Sequence, residues 1–497
     1  MKSVIKLWKT AFPLFAGMFI ICAGCAQQPI SPEESAEIFS EYLNERVPRL
    51  MGRYGIPGAV IAVIREGETV WTGAFGYADV EEKQKMTVNA VCRGESISKS
   101  VTAWGVMKLS EQGLIDLDAP VQKYLEIWKL PESAYSEQEV TIRRLLSGNA
   151  GMPLGPIGES IEYDPGSSMP SLKDYLNQEA ELMKEPGSGF LYSNTGFNLL
   201  ELLIEEVTGR DFAAYMEEEV LVPLGMKNSA YSWKESFNGS VPAGYELRGT
   251  PVPPYVYPVN ASGGLFSDVE DLARFAGAGM TGISAKGNPV LSRESLQQLY
   301  TPQVEIFGMF GVVAEAYGFG HFIEILSDGR KAVWHGGQGH GWITHFHFIP
   351  ESGEGIVILT NSQRSWPFLA KILPDWAHWC GFENVKFGRI TYASNALMVL
   401  IGIIFLIVVW RVYCLVLGLS KGERRFCPFS PESWKVRIIQ AVLGIGIIIA
   451  LVWAVLQPYL FISSLFPGLS VWAGFIFLSF AIVMVISSLN PRIENEE

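Results

Sequence analysis

Ser96-Ile97-Ser98-Lys99 opens a helical run that continues to Gln112 and closes at Gly113. A spacing of three on a helix brings the serine and lysine side chains to one face. A serine at a helix N-terminus sits in positive potential, which favours a developing alkoxide. A neighbouring lysine, once desolvated enough to lose its proton, can act as base. On its own this spacing is common in long chains, so its weight depends on what surrounds it.

Upstream, Ser31-Pro32-Glu33-Glu34 has Pro and acids where a helix would start, which predicts a helix reaching Arg53 and ending before Gly55. Ala59 to Ile64 and Thr69 to Phe75 are β-rich and joined by Arg65-Glu66-Gly67-Glu68, a β-hairpin signal. Downstream, from about Ala119 to Tyr255, helical and loop segments dominate. Strand patterns return at Lys331 to His335, Trp342 to Phe348 and Gly355 to Leu359. Strands at both ends with helices between them predict an α+β fold. One antiparallel sheet would be built from both ends of the region, with a helical insertion.

Two further motifs share the region. Tyr192-Ser193-Asn194 follows Glu185-Pro186-Gly187, and His335-Gly336-Gly337 runs into Gln338-Gly339-His340-Gly341-Trp342. Glycines at a strand end admit a ligand or another backbone. Cys92, four residues before Ser96, reads as a small buried residue rather than a nucleophile. His340, His345 and His347 are close in sequence, but no Cys pair or His-Glu-x-x-His run accompanies them. Neither a metal nor a cofactor is expected.

In this order and spacing, the three motifs resemble the serine β-lactamase and penicillin-binding-protein superfamily, in its class C β-lactamase-like branch. The likeness extends over about Ile56 to Asn361. It includes Thr141 to Ser147, Tyr192 to Gly209, Pro223-Leu224-Gly225-Met226, Ser262 to Ser267, Asp271 to Phe275 and Gly355 to Asn361. The resemblance implies a β-lactamase/transpeptidase-like antiparallel sheet flanked by helices. It implies that Ser96 attacks a carbonyl to form an acyl-enzyme, and that Lys99 and Tyr192 share general-base and proton-relay work. Asn194 would hydrogen-bond substrate or Lys99. His335 would hold a substrate carboxylate or position Tyr192. In the third motif, with Gly337, the backbone N–H of Gln338 would join that of Ser96 in an oxyanion hole. The chain departs from the family at Ser147-Gly148-Asn149-Ala150-Gly151, where the branch often has His-Thr-Ser-Gly.

The ends of the 497-residue chain carry a second layer of information. Mean hydropathy is +0.21 although net charge is −13, which points to membrane segments and argues against nucleic-acid binding. Lys2, Lys6 and Lys9 precede an apolar run and the small residues Ala23, Gly24, Cys25 and Ala26, an export signal over 1–26. Lipidation at Cys25, cleavage after Ala26 and retention as an N-terminal anchor are all open. A catalytic domain is expected over 30–385 and three transmembrane helices within 394–489. Their apolar runs are Ala396 to Trp410 (continuing to Leu417), Ile438 to Leu456 and Ser470 to Ile486. The loop between the first two holds Lys421, Arg424, Arg425, Lys435 and Arg437, which places it in the cytoplasm and the catalytic domain outside a bacterial cell membrane. Three spans exceed what anchoring in lipid requires, leaving a docking or homodimerising role open.

Together these features resemble the membrane-anchored prodrug-maturation peptidases of the colibactin-maturation type. The expected activity is hydrolysis of an amide or peptide, on a D-amino-acid-containing peptide or an acylated prodrug. DD-carboxypeptidase or esterase action is the alternative within the superfamily. A penicillin-binding sensor or a non-catalytic binding module is the alternative outside it.

Overall fold

The computed structural model describes residues 30–32, 34–282, 287–383, 385–429, 433–457 and 461–492. The export signal over 1–26, with Cys25, lies outside the described residues. The first described helix, α1 (Ala36–Tyr54), begins later than the Ser31-Pro32 signal predicts. Ser35 is its N-cap, its hydroxyl accepting from Ile38 N–H at 3.4 Å, and Gly55 closes it with φ 68°.

The predicted hairpin is present as β1 (Gly58–Arg65) and β2 (Glu68–Asp79). Glu66 and Gly67 both take positive φ, 54° and 79°, the turn geometry whose twist matches that of paired strands. The remaining strands of the main sheet are β3 (Gln84–Lys85), β4 (Val304–Glu305), β5 (Ala316–Tyr317), β6 (Phe322–Ile325), β7 (Lys331–Gly339), β8 (Trp342–Phe348) and β9 (Gly355–Thr360). They form one nine-stranded sheet in the order β3-β2-β1-β9-β8-β7-β6-β5-β4, antiparallel at every step. The two ends of the region meet at the centre, where Ala59 faces Thr360 and Ile64 faces Gly355.

Strands β1 and β9 are buried on both faces, so each reads as a continuous apolar run. Val60, Ala62 and Ile64 face a core shared with α2 (Ile97–Glu111), α3 (Asn194–Thr208) and α4 (Val269–Ala278) of the helical insertion. Ala59, Ile61 and Val63 face a second core, closed by α1 and α5 (Trp366–Trp379). The result is helices, sheet, helices, with α2 in the middle of the first core. Burial all round explains why α2 lacks an amphipathic pattern.

Among the described residues, three helices are long and apolar enough to cross a membrane: α6 (Arg389–Ser420), α7 (Trp434–Leu456) and α8 (Leu469–Leu489). Helix α6 extends the predicted span at both ends. Its first turns lie on α5, where Thr391 Oγ1 donates to Ala370 O at 3.3 Å. Helix α8 packs against both α6 and α7. Gly444 permits this: a Cβ there would stand 2.8 Å from Ala481 O.

The junction with the globular part is pinned rather than loose. Lys386 N–H donates to Glu324 Oε1 at 2.6 Å, Lys386 Nζ pairs with Glu315, and Arg389 donates to Val312 O at 3.2 Å. A short helix between α7 and α8 (Phe461–Leu465) returns to the same end, where buried Ser464 donates to Gln363 O at 2.5 Å. The basic loop after Ser420 lies beyond the far end of α6, about 48 Å away along a helix of this length.

Gly277 sets how closely α4 approaches the first hairpin, since a Cβ there would lie 2.2 Å from Gly67 O. Glycine to alanine inside a helix ordinarily stabilises by about 1 kcal/mol. Here Gly277→Ala must push helix from hairpin, and the expected result is the opposite sign, a loss of about 1–3 kcal/mol. Thermal unfolding of the detergent-solubilised protein reads the sign directly.

Candidate active site

Ser96 stands at the start of α2 on a sharp bend. Glu95 before it takes a left-handed backbone, φ 48°, unusual for a residue with a side chain. Ser96 itself is helical (φ −63°, ψ −6°), and its hydroxyl does not cap the helix as an N-cap serine usually would. The hydroxyl is instead turned to Lys99, whose Nζ lies 3.2 Å from it. No hydrogen bond engages the Ser96 backbone N–H among the described residues.

The bend is held from several sides. Gly94 N–H donates to Leu265 O at 2.7 Å, and Ser98 Oγ accepts from Leu265 N–H at 3.0 Å. Beneath it lies a buried ion pair, Arg93 Nε to Glu95 Oε1 at 2.6 Å. Tyr255 and Tyr257 donate to the two Glu95 oxygens at 2.9 and 3.0 Å, and their rings stack on the Arg93 guanidinium. The sequence reading did not find this pair. Its one local signal was an acid and a base flanking Gly94, immediately before the serine.

Lys99 is fully buried, and burial draws its pKa down to about 7 against the opposing pull of Glu95. Its second partner is Ser262 O at 2.8 Å. That carbonyl is presented by backbone fixed from α3, where Glu201 accepts from Asn260 N–H and Ala261 N–H, both at 2.7 Å. Burial raises the Glu201 carboxyl to about 8. The Tyr192 ring centre is 4.9 Å from Lys99 Nζ. Burial raises the Tyr192 phenol, which keeps its proton. The divergent loop at Ser147 to Gly151 supports this segment: Gly148 O accepts from Leu191 N–H at 2.7 Å, and Asn149 Oδ1 from Gly189 N–H at 2.9 Å.

Strand β7 forms the facing wall. Strand β6 pairs with it only from Lys331 to Trp334, leaving its edge uncovered from His335 to Gly339. Counting from the Gly339–Trp342 pair at the turn, the antiparallel alternation points Gln338 N–H and C=O to that edge. Gly337 allows the approach to α2: a Cβ would stand 2.3 Å from Gly94 O. The Gln338 side chain points the other way, its Oε1 accepting from Trp366 Nε1 at 2.8 Å.

His335 is buried, with Nδ1 donating to Gly336 O at 2.8 Å and Nε2 3.2 Å from Tyr317 OH. Burial, with Lys99 nearby, holds its pKa well below the ordinary range, so the ring is neutral. It packs among Tyr192, Phe322 and Tyr317. Asn194 begins α3, its N–H donating to Leu154 O at 3.1 Å; no hydrogen bond joins it to Lys99 among the described residues. The structure thus gathers Ser96, Lys99, Tyr192 and β7 into one cleft, and leaves Asn194 without a link to the lysine.

Cys92 is buried and its thiol pKa is raised by that burial. The three nearby histidines separate. His345 and His347 are buried, 3.4 Å apart, on the side of the sheet facing Trp334. His340 lies in the β7–β8 turn between Glu162 (2.8 Å) and Glu246 (2.9 Å), which raise its pKa to about 9. Ligand atoms of His340, Glu246 and Glu159 come within 4.8 Å of one another. With the imidazole protonated, hydrogen bonds from His340 already engage Glu162 and Glu246.

A family model described as beta-lactamase matches residues 43–373. The chain belongs to this family. It therefore lies in the serine β-lactamase and penicillin-binding-protein superfamily of acyl-transferases and hydrolases. Protein flp of Staphylococcus aureus (strain N315) is 27% identical over 311 residues, covering 62% of this chain and 60% of that protein. The match thus spans less than two thirds of that relative. Penicillin-binding protein 4* of Bacillus subtilis (strain 168) is 25% identical over 353 residues, 67% of this chain and 72% of that one. Among solved structures, the octameric penicillin-binding protein homologue from Pyrococcus abyssi aligns with TM-score 0.57 and 28% identity, over 65% of this chain and 73% of that one. A penicillin binding protein from Bacillus halodurans shares the fold, with TM-score 0.55 and 24% identity over 66% of this chain and 98% of that one.

The Arg93–Glu95 pair gives a test of how the bend is held. Glu95→Gln leaves the buried guanidinium without its counter-charge, which costs about 3–5 kcal/mol. Equilibrium unfolding should show a loss of that size. A change below about 1 kcal/mol would mean that the pair is not what holds Ser96 in place.

Proposed function

We propose that the chain is a membrane-anchored serine hydrolase, working outside the cytoplasm through an acyl-enzyme on Ser96. The observation that carries this is the buried Lys99 ammonium, drawn down to about 7 and 3.2 Å from the Ser96 hydroxyl. At neutral pH much of Lys99 is free amine, able to take the serine proton as the hydroxyl attacks. Tyr192, protonated and packed beside Lys99, would relay that proton to the leaving group. This divides the base and relay roles that the motif alone leaves shared. The Ser96 and Gln338 N–H groups would bind the oxyanion, where charge appears only in the transition state. His335, neutral and engaged elsewhere, fits positioning of Tyr192 better than holding a carboxylate.

An amide or peptide carbonyl is the substrate class favoured by relatives named as penicillin-binding proteins. A D-amino-acid-containing peptide or acylated prodrug is the finer reading, supported by the export signal and spans. The outward orientation is supported by the basic loop lying at the end of α6 remote from the globular part. A bacterial cell membrane is the corresponding location.

Intact mass after treatment with a fluorophosphonate tests the nucleophile. Wild type should gain the mass of one probe and Ser96→Ala none. An adduct persisting in Ser96→Ala, or none on folded wild type with a small ester-sized probe, would sink the assignment. If an adduct forms, N-acyl-D-amino-acid amides, D-Ala-D-Ala peptides and short esters should be compared as substrates.

The pH dependence carries its own sign. Protonated Lys99 cannot accept a proton, so kcat/KM should rise with pH through about 7 and level above it. Lys99→Arg, always charged, should lose about 10²–10⁴-fold. A profile flat from pH 5 to 9 would remove Lys99 as the base.

A further inference from the structure

The root of the first membrane helix lies directly behind the candidate oxyanion strand. Phe387, two residues before α6, is buried against three aromatic or imidazole rings: Trp334 at 4.9 Å, His345 at 4.7 Å and Trp366 at 5.9 Å between ring centres. Trp366 is stacked on it at 25°. The Trp366 indole N–H in turn donates to Gln338 Oε1 at 2.8 Å. Gln338 Nε2 is buried with no partner, so among the described residues this bond alone fixes the amide. Gly336, two residues before Gln338 on the same face of the strand, has no room to spare either, since a Cβ would meet Trp366 at 3.2 Å.

Side chains alternate across a strand. The amide of Gln338 is therefore a handle on the rear of β7, and its backbone N–H is on the working edge. A buried amide that loses its one hydrogen bond must move or stay unpaired at a cost. Either outcome shifts the strand that carries the oxyanion donor, and displacements of about 1 Å can cost 10²-fold in rate.

We propose that Phe387 and Trp366 are positioning residues for Gln338, so that the seating of the membrane region sets the geometry of the oxyanion strand. This rests on the hydrolase reading above. It assigns the spans a part in turnover in addition to anchorage.

The test uses the full chain in nanodiscs and a chromogenic short-chain ester. Trp366→Phe keeps the ring on Phe387 but removes the N–H donor; Phe387→Ala removes the ring beneath it. Each should lower kcat about 10–100-fold with KM within about twofold. Phe387→Leu, which restores most of the volume, should recover most of the loss. Trp366→Phe combined with Gln338→Leu should be no worse than the poorer single variant, because both remove one bond. Amide hydrogen exchange over Lys331 to Gly341 should quicken in Phe387→Ala. Multiplicative losses in the double variant, a loss borne by KM, or unchanged exchange would overturn the proposal. A wild type that neither turns over esters nor takes a fluorophosphonate at Ser96 would instead overturn the hydrolase reading. Exchange needs no turnover and would then decide the coupling alone.

Discussion

Strand β7 meets the bend before Ser96 through glycines, which contribute no side chain of their own to the contact. A Cβ on Gly337 would stand 2.3 Å from Gly94 O, and one on Gly339 would stand 2.2 Å from Glu95 Oε1. The contact brings a sheet edge against a helix N-terminus, two places where backbone N–H groups lack internal partners. Thr344, paired with Gly337 in the sheet, reinforces it by donating to Gly94 O at 3.0 Å. Any larger residue at Gly337 would separate the two walls of the cleft. The rest of the site is arranged around keeping that approach close.

Such closeness has an electrostatic consequence. Arg93, Glu95 and Lys99 are buried, and they respond according to whether they are paired. Arg93 and Glu95 remain a mutually neutralising pair, with tyrosine hydroxyls completing the carboxylate's hydrogen bonds. Among the described residues, Lys99 has only neutral oxygens within hydrogen-bond reach, a carbonyl and a hydroxyl. Desolvation therefore wins over the attraction of Glu95, and the amine becomes available near neutrality. Moving Glu95 toward Lys99 would raise the lysine pKa again, so the contacts that hold Glu95 on Arg93 also help keep the lysine a free amine near neutrality.

The sequence made the sheet and its motifs legible for a physical reason. Central strands such as β1 and β9 are apolar on both faces, and the Glu66-Gly67 turn has the residues its φ angles need. The Ser-x-x-Lys spacing follows from helix geometry, so no tertiary information was required. What stayed hidden depends on distant partners. Glu95 is 160 residues from Tyr255, which donates to it. Ser262 O, the second partner of Lys99, is a backbone atom that no residue type announces. The start of α1 differs by one turn from the sequence signal, because Ser35 rather than Ser31 supplies the capping hydroxyl. The loop at Ser147 to Gly151 departs from the family pattern, yet its backbone still steadies the segment before Tyr192.

The membrane segments were read from hydropathy, and hydropathy says nothing about how a span joins the domain it carries. A flexible tether would leave the join polar and solvated. The join here is the reverse. Val385, Phe387 and Ile390 are buried in the same core that backs the sheet, and Lys386 N–H is fixed on Glu324. Leu465 and Phe466, from the connection between the second and third helices, pack on that core as well. Contacts of this kind bind two regions energetically, because neither side can shift without opening a cavity or stranding a polar group. The globular core and the apolar helices therefore share one packed boundary, at the back of the strand that faces Ser96.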